Sequence, residues 1–200
     1  MEESRVYLRK VATGQLVEAS LLDEVIDKHL ALWNASWQTA MQAHCAGRAL
    51  RDKPEDHHWN WTQKADYWRP LLGYHSFAIT CEGDLQGLML VSDVESARVQ
   101  TQFGKPIVYV KFLASAPWNR LEFQTPPRYR GVGTVMVTAA VELRWNLAYR
   151  GRIGLHSLPR AEPFYRVTCK MTELGKDAAH QNLTYYEMTN TQAEEFRLKN

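Results

Sequence analysis

The order of predicted helices and strands indicates a mixed α/β fold, of the α+β type, with a largely antiparallel central sheet. Hydrophobic periodicity gives the order βααβββαβαβ, so six to seven strands are flanked by helices. Three strands follow one another in mid-chain without intervening helices, which differs from a doubly wound Rossmann domain. The chain has 200 residues and contains no Ser/Gly-rich linker. We therefore expect a single domain over residues 1–200.

The first half of the chain predicts a strand, two amphipathic helices and a β-hairpin. The hairpin is indicated by two apolar runs that flank Glu82-Gly83-Asp84. The apolar residues before it recur at helical spacing, and the second helical stripe ends near Pro70. The expected elements are a strand at 6–9, a helix at 22–41, a loop at 47–59, a helix at 61–68 and strands at 76–81 and 86–91.

The second half predicts strands that alternate with helices. A β-branched and aromatic run is closed by Pro117, and Pro159 stands at a favourable position for the first turn of a helix. The expected elements are a strand at 107–114, a loop at 118–127, a helix from Gly131 with an apolar stripe that reaches Leu147, a strand at 152–158, a helix from Pro159 and a strand at 183–189.

Composition and cysteine usage favour a soluble cytoplasmic protein. Hydrophobic residues make up 45% and charged residues 23%, which excludes wholesale disorder. The three cysteines contain no CxxC pair, as is typical of a reducing compartment. The first ten residues carry acids where a signal peptide would carry a basic region, and the least polar stretch, 131–141, is about half the length of a membrane span. We expect no membrane partner. We also expect no metal, because His44-Cys45 and His57-His58 match no standard zinc spacing.

Charge is distributed unevenly along the chain. Residues 1–100 have 10 basic and 14 acidic side chains, whereas residues 101–200 have 14 basic and 8 acidic ones. Eight arginines lie between Arg120 and Arg166. A solvated basic face explains this, and so does a site for phosphates or nucleic acid. Composition leaves both interpretations open.

A glycine-bearing segment stands where a helix is predicted to begin. Glycines let the backbone approach a ligand closely, and the free N–H groups of a helix's first turn form an anion site together with the helix dipole. Neighbouring arginines add charge suited to phosphate oxygens. The segment predicts a phosphate-binding loop, and it is not a Walker motif because no Lys-Ser/Thr follows its second glycine. Its residues are Arg128, Tyr129, Arg130, Gly131, Val132, Gly133 and Thr134.

In its context this segment resembles the GNAT superfamily of acyl-CoA-dependent N-acyltransferases. The matching parts are YVKFLASAP from Tyr109 to Pro117, RYRGVG from Arg128 to Gly133, and GLHSLPRAEPFYR from Gly154 to Arg166. Residues 107–189 carry the resemblance, and residues 1–106 agree with the family in element order. The resemblance implies an acceptor-side half at 1–106 and an acyl-CoA-binding half at 107–200 within one domain.

The resemblance also implies roles for particular residues. Leu113, Ala114 and Ser115 correspond to the splayed strand that pairs with pantetheine and orients the acyl carbonyl. The amides of residues 129–134, with Arg128, correspond to the pyrophosphate cradle. Tyr165 lies where these enzymes keep a tyrosine that protonates the departing thiolate. A phenol stays protonated at pH 7, so it can act as a general acid.

The general base is less well defined by the sequence. His156 on the penultimate strand and Glu122 in the loop after the pantetheine strand are the first candidates. Asp93 and Glu95 after the hairpin, and Glu187 on the last strand, are further candidates. For each of these side chains taken singly, a solvated surface position is the favoured interpretation.

We therefore expect an N-acetyltransferase that moves an acetyl group from acetyl-CoA to a primary amine by direct attack in a ternary complex. The alternatives are an inactive acyl-CoA-binding sensor or interaction module, and a basic RNA-binding protein, including a toxin that acetylates aminoacyl-tRNA. A homodimer is possible. The tryptophans predict a core, with one or two lining an acceptor pocket that favours a flat or cationic group. They are Trp33, Trp37, Trp59, Trp61 and Trp68.

Overall fold

The computed structural model describes residues 2–146 and 151–199. Two residues of the sequence analysis lie outside the described residues. They are Leu147, the last residue of the predicted helical stripe, and Arg150, one of the eight arginines from Arg120 to Arg166. The chain forms two compact units, the first from Met1–Met89 and Leu113–Gly133 and the second from Leu90–Phe112 and Thr134–Asn200.

The described residues form nine strands and five α-helices. The strands are β1 (Glu3–Lys10), β2 (Leu16–Leu22), β3 (Tyr74–Cys81), β4 (Asp84–Ser96), β5 (Pro106–Ser115), β6 (Tyr129–Arg130), β7 (Ile153–Ser157), β8 (Thr172–Asp177) and β9 (Leu183–Met188). The helices are α1 (Asp27–Leu32), α2 (Thr39–Cys45), α3 (Trp61–Trp68), α4 (Val132–Asn146) and α5 (Asn190–Lys199). A π-helical turn, Trp33–Gln38, joins α1 to α2, and a second one spans Phe164–Thr168.

Strand pairing is mostly antiparallel, as predicted. In the first unit the neighbours run β6-β1-β2-β3-β4, and in the second they run β4-β5-β7-β9-β8, so β4 belongs to both. The pairs β1–β2, β1–β6, β2–β3, β7–β9 and β8–β9 are antiparallel, whereas β5 and β7 are parallel. The mixed α/β class predicted from the sequence is therefore confirmed.

The prediction of six to seven strands was too low, because β2, β6 and β8 were missed. β2 ends at Leu22, where the predicted helix was expected to begin, and α1 starts only at Asp27. β6 is two residues long and exists through its pairing with β1. β8 is a polar strand with no fully buried residue, so it carries no hydrophobic alternation.

The hairpin between β3 and β4 is confirmed with a two-residue turn. Glu82 and Gly83 both have positive φ, at 51° and 83°. That geometry matches the right-handed twist of the strands, and it favours glycine at the second position. The helix predicted at 61–68 is confirmed as α3, where the Asn60 side chain caps the N-terminus by accepting a hydrogen bond from the Gln63 amide at 3.0 Å.

The α4 stripe and the strand interiors form the buried core. In α4, Val132, Met136, Ala139 and Ala140 are buried, as the periodicity predicted. In the strands, the residues with zero exposure include Leu8, Ala78, Ile79, Leu88, Met89, Val91, Ile107, Val108, Ile153, Tyr186 and Met188. Among residues 2–146 and 151–199, no helix combines the length and the apolarity needed to cross a membrane.

Candidate active site

The predicted phosphate-binding loop lies at the start of α4. Gly131 has φ of 103° and directly precedes the helix, which begins at Val132. The first amides of an α-helix have no partner within the helix, so the N–H groups of Val132, Gly133 and Thr134 are available to an anion. Gly131 is required here because side chains rarely adopt its φ.

Arg128 and Tyr129 hold this loop in place. The Arg128 guanidinium lies 2.6 Å from Asp84 Oδ2 and 3.5 Å from Glu82 Oε2. The buried Tyr129 hydroxyl donates to Glu82 at 2.5 Å. Lys10 also lies 2.7 Å from Glu82, and hydrogen bonds from Lys10 and Tyr129 lower the pKa of Glu82 to about 2. These three partners of Glu82 and Asp84 tie the loop to β1 and to the β3–β4 turn.

A buried glutamine fixes the chain that leads into the loop. Gln86 has no solvent exposure, and its Oε1 accepts hydrogen bonds at 2.9 Å from Trp118 Nε1 and Asn119 Nδ2. The Asn119 side chain in turn accepts a hydrogen bond at Oδ1 from the Tyr129 backbone amide, at 3.0 Å. The Arg128 amide likewise donates a hydrogen bond to the Trp118 backbone carbonyl at 2.8 Å. The amides of Arg128 and Tyr129 therefore already have partners within the protein.

The pairing of β5 with β7 stops before either strand ends. The register joins Val108–Val110 to Ile153–Leu155, although β5 continues to Ser115 and β7 to Ser157. Beyond Val110 the edge of β5 is therefore not paired with β7. Backbone groups at such an edge can hydrogen-bond an extended ligand. The predicted pantetheine residues Leu113, Ala114 and Ser115 lie in this last part of β5.

A tryptophan-lined cavity of about 140 Å³ lies in the first unit. Four of the five tryptophans singled out in the sequence line it, namely Trp33, Trp37, Trp59 and Trp61, whereas Trp68 stacks on Tyr74 outside it. Trp33 and Trp37 come from the π-helical turn, a geometry frequent at functional sites. The Trp37 indole donates to the Leu85 carbonyl at 3.0 Å and meets Trp118 edge to face.

One side of the cavity is polar. Asp56 holds the Arg120 guanidinium by two bonds, Nη1 to Oδ2 at 2.8 Å and Nη2 to Oδ1 at 2.9 Å. Arg120 also donates to Glu122, one of the two predicted bases. Burial alone would lower the pKa of Arg120, but the charges on Asp56 and Glu122 raise it above its usual value. Ala114 and Ser115, at the end of β5, line the same cavity.

His156, the other predicted base, is at the centre of a hydrogen-bonded chain in the second unit. Its Nδ1 lies 2.6 Å from the Tyr109 hydroxyl on β5, and its Nε2 lies 3.0 Å from Asp177 Oδ2 at the end of β8. The side chain of His156 is 3% exposed. Burial lowers the pKa of His156, although the hydrogen bond to Asp177 opposes this, so the ring is neutral near pH 7.

Asp177 gathers three donors around one oxygen. Arg98 Nη1 lies 2.6 Å from Oδ2, and His180 Nδ1 lies 3.0 Å from the same atom. Hydrogen bonds from Arg98 and His156 hold the pKa of Asp177 well below its usual range. The His156 and His180 rings stack at 3.9 Å. His156, Asp177 and His180 have the composition of a metal site, but the cation of Arg98 already occupies the carboxylate oxygen that a metal would need.

Tyr165, the predicted general acid, is 6% exposed in the π-helical turn Phe164–Thr168. Its ring meets Phe164 edge to face at 5.2 Å and lies 6.2 Å from Tyr186. Burial raises the pKa of Tyr165, so the phenol stays protonated and remains a hydrogen-bond donor throughout the physiological range.

The two predicted bases belong to different hydrogen-bonded groups. Glu122 belongs to the Asp56–Arg120 group in the first unit, and His156 belongs to the chain with Tyr109 and Asp177 in the second. Sequence reasoning missed Tyr109, Asp177 and Asp56. Tyr109 and Lys111 are polar side chains two positions apart on an otherwise apolar strand, so they share one face, and this was a weak signal that Tyr109 belongs to a site. Asp177 and Asp56 lie far from their partners along the chain and carried no signal.

Comparison with known proteins identifies the fold. Mycobacterium smegmatis RimJ in complex with CoA-disulfide matches with a TM-score of 0.59 at 13% identity, over 99% of this chain and 94% of that one. A putative acetyltransferase of the GNAT family from Desulfovibrio desulfuricans gives 0.55 at 12% identity, over 86% and 99%. PaiA N-acetyltransferase from Thermoplasma acidophilum in complex with coenzyme A gives 0.53 at 9% identity, over 84% and 97%.

No protein-family model and no curated protein sequence matches the chain. The likeness is therefore structural, at identities of 9–13%. It extends over most of both chains in each comparison, and it agrees with the resemblance that the motifs at 107–189 indicated. The chain has the fold of the GNAT acetyltransferases.

Proposed function

We propose that this protein is an N-acetyltransferase that transfers an acetyl group from acetyl-CoA to a primary amine. The observation that carries the proposal is the glycine-led start of α4, whose first amides have no partner within the helix and suit a pyrophosphate, in a chain with the GNAT fold. Two proteins of similar fold, RimJ and PaiA, were solved with CoA-disulfide and coenzyme A. The adenine nucleotide end of the cofactor would meet the amides of Gly131–Thr134, with the exposed Arg130 adding charge.

The edge of β5 beyond Val110, which does not pair with β7, is the proposed site for the pantetheine arm and the thioester. Backbone N–H groups around Leu113–Ser115 would hydrogen-bond the acyl oxygen and stabilise the oxyanion of the tetrahedral intermediate. The neutral amine attacks the carbonyl carbon, so the C–N bond forms as the carbonyl π electrons move to the oxygen; collapse of this intermediate then re-forms the carbonyl and breaks the C–S bond, and CoA leaves as the thiolate. Proximity of two bound substrates supplies much of the rate, and no covalent enzyme intermediate is needed.

The proton released by the amine is assigned to the Tyr109–His156–Asp177 chain. Tyr109 donates to Nδ1 of the neutral His156 ring, so it can pass a proton to the ring as it accepts one from the amine or a water. Asp177 then stabilises the imidazolium through Nε2. This assignment ranks His156 above Glu122, because Glu122 already bonds to the Arg120 guanidinium.

Tyr165 is assigned to the leaving group. Its protonated phenol would donate a hydrogen bond to the CoA sulfur and supply the proton that converts the thiolate to a thiol. We expect Tyr165→Phe to lower kcat at least tenfold while the Kd for acetyl-CoA changes less than threefold. An unchanged kcat would remove Tyr165 from the mechanism.

The proposal is tested by titrating acetyl-CoA calorimetrically and by measuring CoA release with a thiol reagent over a panel of primary amines. Absence of binding at high micromolar acetyl-CoA would refute it. Binding without CoA release over the whole panel would instead favour an acyl-CoA-binding module. RNA affinity with a steep salt dependence that survives saturating CoA would favour the nucleic-acid alternative.

A matched pair of variants tests the phosphate loop. Gly133→Asp places a negative charge in the first turn of α4, where the charge interacts favourably with the helix dipole but repels a pyrophosphate. We expect at least a tenfold loss of acetyl-CoA affinity with no loss of thermal stability. Gly133→Asn, the control, has the same size without the charge, so it should bind acetyl-CoA at least threefold more tightly than Gly133→Asp. Affinities of both variants equal to that of the unmodified protein would place the cofactor elsewhere.

A further inference from the structure

The cavity in the first unit has a composition that specifies its occupant. Four indole rings line about 140 Å³, and Met41 adds a thioether. An apolar cavity of about 150 Å³ is known to accept a benzene ring. Flat aromatic walls therefore fit one aromatic ring, which can stack on or meet the indoles edge to face.

The charges beside the cavity favour a cation. Asp56 and Glu122 supply two negative charges, and both accept hydrogen bonds from Arg120, which supplies one positive charge. The faces of the indoles attract cations as well, as the Lys64 ammonium shows by lying 5.1 Å from the centre of the Trp59 ring. His57 also lines the cavity, and its Nδ1 lies 2.8 Å from the Pro54 carbonyl. A carbonyl only accepts hydrogen bonds, so Nδ1 is the donor in this contact.

The same charges disfavour a carboxylate on the occupant. Arg120 would be the natural partner for such a group, but two of its nitrogens already bond to Asp56 and one of these also bonds to Glu122. Its side chain is 22% exposed. A ligand carboxylate would have to displace one of these partners. The cavity is therefore expected to bind amines more tightly than amino acids.

The cavity also touches the proposed reaction centre, because Ala114 and Ser115 contribute to its wall. We propose that the cavity binds the acceptor and that the acceptor is an arylalkylamine, a primary amine on a short chain attached to one aromatic ring. This inference rests on the proposed acetyltransferase function. The ring occupies the indole-lined part, and the amine lies between the acidic side and the end of β5.

Binding is measured first, without cofactor, by calorimetry at pH 7.5. The probes are 2-phenylethylamine, its neutral isostere 2-phenylethanol, L-phenylalanine, which adds a carboxylate, and 2-cyclohexylethylamine, which lacks the flat ring. We expect 2-phenylethylamine to bind at least tenfold more tightly than each of the other three. Equal or tighter binding of any one of them overturns the corresponding part of the argument, and with it the proposed acceptor class.

A pair of tryptophan variants locates the binding. Trp59 is only half-buried, so the Trp59→Leu variant is expected to fold. It should lower the affinity for 2-phenylethylamine at least tenfold. Trp68→Leu, which removes an indole outside the cavity, should change affinity less than twofold. Equal losses in both variants, or none in either, would show that the amine binds elsewhere. Near-identical circular dichroism spectra and melting temperatures serve as the folding control.

Transfer is then measured with acetyl-CoA, with spermidine and a lysine peptide as competing acceptors. Acetylation of these two but not of 2-phenylethylamine refutes the acceptor class and leaves the acetyltransferase function standing. Binding of 2-phenylethylamine with no affinity for acetyl-CoA refutes the function instead. Tight binding of hexanoyl-CoA that is lost in Trp59→Leu, with no binding of 2-phenylethylamine, would assign the cavity to the acyl chain of the donor and overturn the proposal.

Discussion

His156 is held by hydrogen bonds at both ring nitrogens, and this makes its protonation state measurable in catalysis. Tyr109 and Asp177 are the partners, and Arg98 and His180 add nearby positive charge that lowers the pKa of His156 further. As a base the ring must be neutral, so kcat should be constant above pH 7 and fall as pH drops below the ordinary pKa of 6.5. His156→Gln should lower kcat about 10²-fold or more, and it should remove this acidic limb.

The Asp177→Asn variant tests whether Asp177 positions and polarises His156 or serves only a structural role. The carboxylate raises the pKa of His156, so its loss should shift the acidic limb of the kcat profile to lower pH as well as lower the plateau. A structural role alone would lower the plateau and leave the limb in place. A limb that stays at the same pH in both His156→Gln and Asp177→Asn would assign the base to another group.

Gly154 shows how closely the ring of Tyr185 approaches β7. A Cβ at this position would lie 2.4 Å from the Tyr185 hydroxyl and 3.0 Å from Ile107 Cδ1. Gly154→Ala should therefore lower the free energy of unfolding by about 1–3 kcal/mol, as measured by urea denaturation. In the Tyr185→Phe background the nearest atom is absent, so the cost should be at least halved. Equal costs in both backgrounds would contradict the contact.

At the scale of an element, Glu187 on β9 anchors the segment that follows β4. The carboxylate has no exposure and accepts hydrogen bonds from the amides of Arg98 and Val99, at 2.6 and 3.0 Å, and from Gln102 at 2.6 Å. Glu187→Ala leaves these buried donors unpaired, so stability should fall by about 3 kcal/mol or more. Amide exchange at Arg98 and Val99 should rise. Glu187→Gln keeps one acceptor oxygen and should lose less; an equal loss would show that packing matters more than these bonds.

Elements with a local hydrophobic pattern could be predicted from the sequence, and those that depend on a distant partner could not. β5 and α4 have long apolar runs or stripes, and the β3–β4 hairpin has a glycine turn, so all three are where they were expected. β6 is two residues that pair with β1 more than 100 positions earlier, and no local signal marks them. β2 was missed for another reason: its final leucines continue the helical spacing of the residues after it.

At the scale of the whole molecule, site residues that follow a local sequence pattern could be predicted, and those brought together from distant parts of the chain could not. The phosphate-binding loop is local, and its glycines stand directly before α4 as the motif implied. The chain through Tyr109, His156 and Asp177 joins three strands, so a single sequence showed only its most reactive member. The uneven charge has a similar explanation, since Arg120 and Arg128 of the basic half bond to Asp56 and Asp84 of the acidic half.

Each unit contains one buried histidine and one carboxylate whose pKa values are lowered, and together they predict the acid stability of the protein. Burial lowers the pKa of His29 in the first unit and of His156 in the second. Hydrogen bonds lower the pKa of Glu82 to about 2 and that of Asp177 well below its usual range. In all four cases the unfolded chain binds protons more readily than the folded one, so stability is complete above the unfolded pKa and is lost as pH falls.

Below pH 7 the melting temperature should therefore decline in two stages. The histidines act first, as pH falls below about 6.5, and the carboxylates act below about 4.5 and 3.8. Circular dichroism melts at half-unit pH steps measure both stages. His156→Gln removes one titrating group and one of the partners that lower the pKa of Asp177, so its first stage should be shallower than that of the unmodified protein and its second stage no steeper. A melting temperature that stays constant down to pH 5, or a first stage equally steep in the variant, would show that the His156 ring is not held neutral by the fold.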